Sequence, residues 1–334
     1  MVEIAYWPAT IERWRREGLP ADVTPEDHFG LDVIGQVGFD CSLQLPECTV
    51  EQTNDYRIHV DRDGVTTKSW LQHYAPPAQL EFTVTGRAAW DAHRERLYPD
   101  PSRLTESTWD SYRDCRARDL FTIISPAEPC WQVMRTVGHH NALMWMAAQT
   151  DLIGAMIADY TDFVIAMCEI AVAQGMALDG LWMFSDLCYK NGMLFSPAMY
   201  RALIQPQHQR IAALCRKHGW PLILHCDGDV REFIPLLIES GFDCIQPLEA
   251  RAGNDVRDLK SRYGDRIVLF GNISADAMAR GGAELELEVR SKVLAAKRGG
   301  GYIYHSDHSI PPTVSFDSYR RVIELVREHG RYEG

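Results

Sequence analysis

The sequence predicts an α/β protein built as a single (β/α)8 (TIM) barrel, with an N-terminal helical segment and a flanking β-hairpin. Three observations carry that expectation. Six apolar runs that read as buried strands recur at residues 120–124, 180–184, 221–224, 244–246, 267–270 and 302–304. Amphipathic helical patterns lie between them, at 151–174, 197–218, 230–240 and 285–298, and alternating strand and helix means βαβ units on a parallel sheet. Two of the runs end in histidine and carboxylate, the polar punctuation that parallel-sheet enzymes place at strand C-termini. With 39–45, which alternates as a strand would, seven strands can be placed. The eight-stranded barrel fits best with one strand left unassigned.

Before residue 120 the pattern is less regular. Residues 10–17 read as a short helix with Ile11 and Trp14 inward, stopped by Gly18-Leu19-Pro20. Residues 56–60, the turn Asp61-Arg62-Asp63-Gly64, and residues 65–70 read as a β-hairpin with an Asp-Gly turn. The Pro76-Pro77 pair breaks the chain afterwards, and 90–97 looks helical. The 50–110 region is therefore expected to be a hairpin and linker insertion within one domain spanning 1–334.

A chain of 334 residues, 46% hydrophobic and 24% charged, has ample core and is not compositionally disordered. Its net charge of -12, with no basic run, disfavours binding to nucleic acid or to an anionic membrane. The window 152–178 is apolar but interrupted by Asp159, Asp162, Glu169 and Gln174, which fits a core helix rather than a membrane span. Residues 1–8 carry no secretory signal pattern, so the protein is read as soluble and cytoplasmic. Its nine scattered cysteines, without a CxxC pair, are expected to be reduced.

The chemistry-bearing residues cluster at strand ends. His225 and Asp227 stand at i and i+2 and point the same way from one strand. Asp307 and His308 follow the last strand, and imidazole plus carboxylate from separate strands is a plausible metal site. The plainer alternatives are a buried His–Asp pair supporting the loop and a strand-end cap. Asp186 and Lys190 follow the run at 180–184. Asp186 is a candidate fourth ligand or substrate contact, and Lys190 a candidate anchor for an anionic group, with an N-cap and a solvated lysine as alternatives. Glu128 and Glu249 are strand-end carboxylates, for which helix-terminus roles compete with acid catalysis. Cys226 faces away from His225, and His305 is one residue off the pattern. The adjacent His139-His140 pair cannot present both rings to one ion.

Several stretches together resemble the uroporphyrinogen decarboxylase superfamily over nearly the full length. They are Tyr6-Trp7-Pro8 with 12–20, Tyr189-Lys190-Asn191-Gly192 leading to Ser196-Pro197, His225-Cys226-Asp227-Gly228, Pro247-Leu248-Glu249 with Tyr263-Gly264-Asp265, and Gly300-Gly301-Tyr302 with 307–311. The resemblance implies a (β/α)8 barrel with its cleft at the strand C-termini. The N-terminal arginine-rich motif of the true decarboxylases is missing, and Pro129 to Arg135 is only a superficial echo of it. The chain is more similar to the corrinoid-dependent methyltransferase branch, which binds zinc with a His-x-Cys-Gly motif and a later cysteine. Residue by residue, His225 falls on the first ligand, Asp227 on the first cysteine and His308 on the later one, so harder ligands replace both thiolates.

The resemblance thus implies a methyltransferase in which Zn²⁺, or another divalent metal such as Fe²⁺ or Mn²⁺, is held by His225, Asp227 and His308. Asp186, Glu249 and Lys190 would be the catalytic residues. The metal would act on the heteroatom of a small ether or thiol that donates or accepts a methyl group. No Asp-x-His-x-x-Gly corrinoid motif occurs in this chain, so a corrinoid would come on a partner protein. The alternatives are a metal-independent decarboxylase or lyase using His225 and Asp227 as acid–base groups, and a non-catalytic tetrapyrrole or corrinoid binder.

Overall fold

The computed structural model describes residues 1–72, 75 and 77–332. Pro76 of the expected Pro-Pro break lies outside these described residues. The strands in chain order are β1 (Ile34–Val37), β2 (Cys48–Gln52), β3 (Tyr56–Val60), β4 (Val65–Trp70), β5 (Ala78–Phe82), β6 (Phe121–Ile124) and β7 (Gly180–Phe184). They continue with β8 (Cys188–Tyr189), β9 (Gly192–Met193), β10 (Leu222–His225), β11 (Cys244–Gln246), β12 (Val268–Phe270) and β13 (Tyr302–Ile303). Seven of them form one parallel sheet in the order β1-β6-β7-β10-β11-β12-β13, with helices in the crossovers. This is the curled sheet of a TIM-like barrel, with one strand fewer than the eight expected.

The interval between edge strands β13 and β1 is occupied by the first residues of the chain. The Val2 N–H donates to the Tyr304 carbonyl at 3.2 Å, and Val2 makes a parallel bridge to Asp32. Val2 also belongs to the apolar cluster formed with Ile123, Trp182, Ile223, Cys244 and Phe270, against which Ile4, Ile34, Val268 and Ile303 pack. These are the alternate, inward-facing positions of successive strands. The N-terminal segment therefore fills a stave's place without a strand's full ladder.

The helix Pro8–Glu17 follows this segment. Its Trp14 is fully buried, donates from Nε1 to the Val314 carbonyl at 2.9 Å, and lies 4.8 Å from the Tyr319 ring of the last helix, Phe316–His329.

Three expectations need correction. Residues 39–45 are not a strand, and the sheet's first strand is β1, which precedes them. Asp40 Oδ1 instead accepts from both the N–H and the hydroxyl of Ser42, Gln44 sits at φ 51°, and Arg103 donates to the Asp40 and Ser42 carbonyls. The apolar alternation reflects Leu43 buried in the core, with Phe39, Cys41 and Leu45 packed partly buried against it.

The expected hairpin of 56–60 and 65–70 is present as β3 and β4, but it is the middle of a four-stranded antiparallel sheet, β2-β3-β4-β5. Asp63, in the turn between β3 and β4, is directed inward. It accepts from the Leu43 N–H at 2.9 Å and the Gln132 amide at 3.0 Å, which ties this sheet to the helix Pro129–Val137.

The helix expected at 197–218 is interrupted by a π-helical turn, Tyr200–Ile204. The α-helix restarts at Gln205 with Pro206 in its first turn, where a missing N–H costs nothing.

Candidate metal centre at the strand ends

β7, β10 and β11 end side by side, with His225 in register with Phe184 on one side and with Gln246 on the other. The His225 ring stacks on Phe184, centroids 4.5 Å apart and planes 9° apart. Its Nδ1 lies 2.5 Å from Gln246 Oε1. An amide oxygen only accepts, so Nδ1 carries a proton and Nε2 is the nitrogen left unused by Gln246. Nε2 faces Asp186 Oδ1 at 3.8 Å and Asp227 Oδ2 at 3.9 Å.

Both carboxylates are held from their backbones. Ser185 donates to the His225 carbonyl from its N–H at 3.1 Å and its hydroxyl at 3.0 Å, pinning the loop that carries Asp186. The Asp227 N–H donates to Asp186 Oδ1 at 3.2 Å. Gly228 follows at φ 90°, and a Cβ there would stand 2.7 Å from the Tyr189 backbone, so only glycine allows this approach. The Gly228 N–H donates to Glu249 Oε2 at 3.0 Å.

The result is one imidazole nitrogen and two carboxylate oxygens, all within 4.8 Å of one another. Asp227 Oδ1 is buried without a hydrogen-bond partner among the described residues. Burial, with Asp186 and Glu249 nearby, pushes the Asp227 carboxyl above its usual range, against the pull of His225 and His308. An N/O donor set with an orphaned buried oxygen fits a divalent cation of the zinc, iron or manganese kind. The group opens into a cavity of about 270 Å³ whose lining includes Trp182, Phe184, Gln246, Pro247, Ile4 and Ala5.

His225 and Asp227, two of the three expected metal ligands, stand together. Asp186, expected as a fourth ligand or substrate contact, stands in the inner group. His308 stays at the rim, 46% exposed, with its Nε2 3.8 Å from Asp227 Oδ2. His308 lines the cavity, and its neighbour Asp307 caps two helix starts, accepting from the Ala275 N–H at 2.8 Å and the Ala250 N–H at 3.0 Å.

Lys190 is exposed at the turn between β8 and β9 and does not line the cavity. Glu249 does not line it either, and its placed contact is the Gly228 N–H. Glu128 caps the helix Pro129–Val137 and is bonded to His208 at 2.9 Å, both fully buried. Cys226 is buried in the core. Gln246 was not foreseen, because its role depends on strand register. Ile4 and Ala5 were missed because nothing local marks them as barrel wall.

A family model described as uroporphyrinogen decarboxylase (URO-D) matches residues 122–329, more than half of the chain. The chain belongs to the URO-D family. A solved methyltransferase from Methanosarcina mazei superposes with a TM-score of 0.57 over 76% of this chain and 72% of that one, at 16% identity, a likeness of fold.

The methylated-thiol–coenzyme M methyltransferase of M. mazei is 30% identical over 107 residues, 32% of this chain and 27% of its own. The uroporphyrinogen decarboxylase of Bacillus cereus is 23% identical over 200 residues, 58% of this chain and 52% of its own. The matches thus span about a quarter to a half of these curated relatives. Together they are consistent with the methyltransferase branch of the URO-D superfamily.

Proposed function

We propose that this URO-D family member is a metal-assisted methyltransferase, acting in the cytoplasm, that moves a methyl group between a small ether or thiol and a corrinoid carried by a partner protein. The observation that carries the reading is the convergence of Asp186 Oδ1, His225 Nε2 and Asp227 Oδ2, the latter two residues lining a cavity, with the other His225 nitrogen already satisfied by Gln246. These three residues would hold the metal, with His308 at the rim available to the outer side. Bound there, a divalent cation supplies Lewis-acid polarisation of the heteroatom that gives up or takes the methyl group.

The protein's own contributions are separable. Gln246 fixes the His225 tautomer, Glu249 and Tyr189 hold the turn at Gly228, and Phe184 and Trp182 offer an apolar wall that excludes water. The decarboxylase and tetrapyrrole-binder alternatives gain no support from this cavity. It is small for a macrocycle, and no lysine or arginine occurs among the described residues lining it to pair with substrate carboxylates.

The test is metal content of the purified protein after growth with ample zinc, iron and manganese, followed by methyl transfer from aryl methyl ethers to a reduced corrinoid. Stoichiometric metal and transfer support the reading. Absence of metal retires it, and metal without transfer discards the methyl-group substrates tested.

A further inference from the structure

The cavity next to the Asp186–His225–Asp227 group has a distinctive charge balance. Among its described lining residues the ionisable side chains are Asp227 and three histidines, and the neutral polar ones include Gln36 and Ser125. No cationic lysine or arginine side chain is among them. Two arginines on the neighbouring strand-end loops are engaged elsewhere. Arg231 is paired with Asp229 at 2.6 Å and Arg251 with Asp276 at 2.5 Å. Lys190 is exposed on its hairpin turn and does not line the cavity.

A divalent cation in the group would be balanced by the two carboxylates, leaving no surplus positive charge for a second anion. A substrate tail bearing a sulfonate, carboxylate or phosphate would leave water and find no cation to receive it, which is strongly unfavourable. An apolar or aromatic tail would find Trp182, Pro247 and the half-exposed ring of Phe184.

We infer, resting on the metal-centre reading above, that the substrate is a small thiol or ether whose remaining body is uncharged and apolar or aromatic, and that the site rejects anionic analogues. Coenzyme M, the thiol in the name of the M. mazei relative, carries a sulfonate and falls outside this class.

The experiment is calorimetry in two stages. Zn²⁺ is first titrated into the metal-free protein. The zinc-loaded protein then receives 2-phenylethanethiol or 2-mercaptoethanesulfonate, with the His225→Ala protein as the control for binding away from the metal. The phenyl thiol is expected to bind at least about tenfold more tightly than the sulfonate, and only in the protein that retains zinc. A Gln36→Lys variant, which places a cation on the exposed cavity face of β1, should narrow that gap.

Equal or tighter binding of the sulfonate overturns the inference, as does binding of neither thiol or a gap unchanged by the added lysine. Failure of Zn²⁺ to bind in the first stage defeats the metal-centre reading itself, and the substrate inference falls with it. Zinc binding without the expected preference removes only the substrate class.

Discussion

The ends of β10 and β13 carry nearly the same residues, His225-Cys226-Asp227 and His305-Ser306-Asp307, and the fold uses them differently. Asp307 has both oxygens filled by backbone N–H groups at two helix starts. Asp227 has one oxygen without a hydrogen-bond partner among the described residues and the other facing two histidines at 3.8–3.9 Å. His305 is closed on both sides. Its Nδ1 meets the Ser306 carbonyl, and its Nε2 meets the Ile4 N–H at 3.2 Å and the buried Glu3 carboxyl at 3.0 Å. His225 is closed on one side only. A candidate site is thus distinguished from scaffold less by residue type than by how many hydrogen-bond partners reach each polar atom before a ligand arrives.

The largest effect that would break this contrast is an exchange of phenotypes. His225→Ala should lower metal affinity by more than about a hundredfold, beyond the 10–100-fold expected of an outer-shell loss, and barely change the unfolding midpoint. Inductively coupled plasma analysis after gel filtration and a urea titration measure the two. Retained metal would sink the assignment.

Gln246→Leu should weaken metal binding by about 10–100-fold, with Gln246→Glu restoring it, because an acceptor at this position fixes the His225 tautomer. Competition with a chelator of known affinity reads this. Equal affinity in wild type and Gln246→Leu would show that the amide does not position the ring.

Asp307→Ala should do the reverse of His225→Ala, costing about 2 kcal/mol of stability through two lost charge-assisted bonds while metal binding persists. Urea unfolding checks it. A stability change near zero would remove Asp307 from the scaffold side of the comparison.

The smallest predicted effect concerns pH. Burial pushes the Glu3 carboxyl up from 4.5 to about 8 and the His305 imidazole down from 6.5 to about 3. Both groups are thus held neutral, a carboxylic acid beside an imidazole. Above pH 4.5 the unfolded chain has released the Glu3 proton that the folded protein keeps, so this group lowers stability as pH rises towards 8. Below pH 6.5 the unfolded chain gains a proton on His305 that the folded protein refuses until about pH 3, so this group lowers stability as pH falls.

The two contributions oppose each other between 4.5 and 6.5, and Glu3 alone of this pair acts between 6.5 and 8. Glu3→Gln, which keeps a neutral donor, should flatten the loss between pH 6.5 and 8 by about 1.5 kcal/mol. Urea midpoints at the two pH values measure it. An unchanged slope would mean that Glu3 is ionised in the folded protein.

The parallel sheet after residue 120 was legible because a strand covered on both faces is apolar throughout, and β7 and β11 fall on the residues read from the sequence. β1 was not legible. It contains Gly35, held against Cys115, and the exposed Gln36, so its apolar signal is too sparse beside the loop around Leu43.

At the site, His225 and Asp227 could be paired from their spacing alone. The place of Asp186 could be narrowed to a strand end but not to the inner group, since that depends on Ser185 pinning one loop to the next strand. Lys190 was read from its nearness in sequence to β7. The intervening hairpin turns it to solvent, a geometry that strand-end position does not encode.

The N-terminal stave sets the order in which this protein can become complete. Ile4 and Ala5 form part of the cavity wall, yet the segment that carries them is seated by a bond from Val2 to Tyr304, about three hundred residues later. During synthesis that segment waits without its second neighbour until Tyr304 has emerged. Its apolar Val2 and Ile4 spend that time uncovered on the β13 side. Contacts of such long separation are slow to form. The inward-facing strands can therefore assemble well before the pocket they enclose has its last wall.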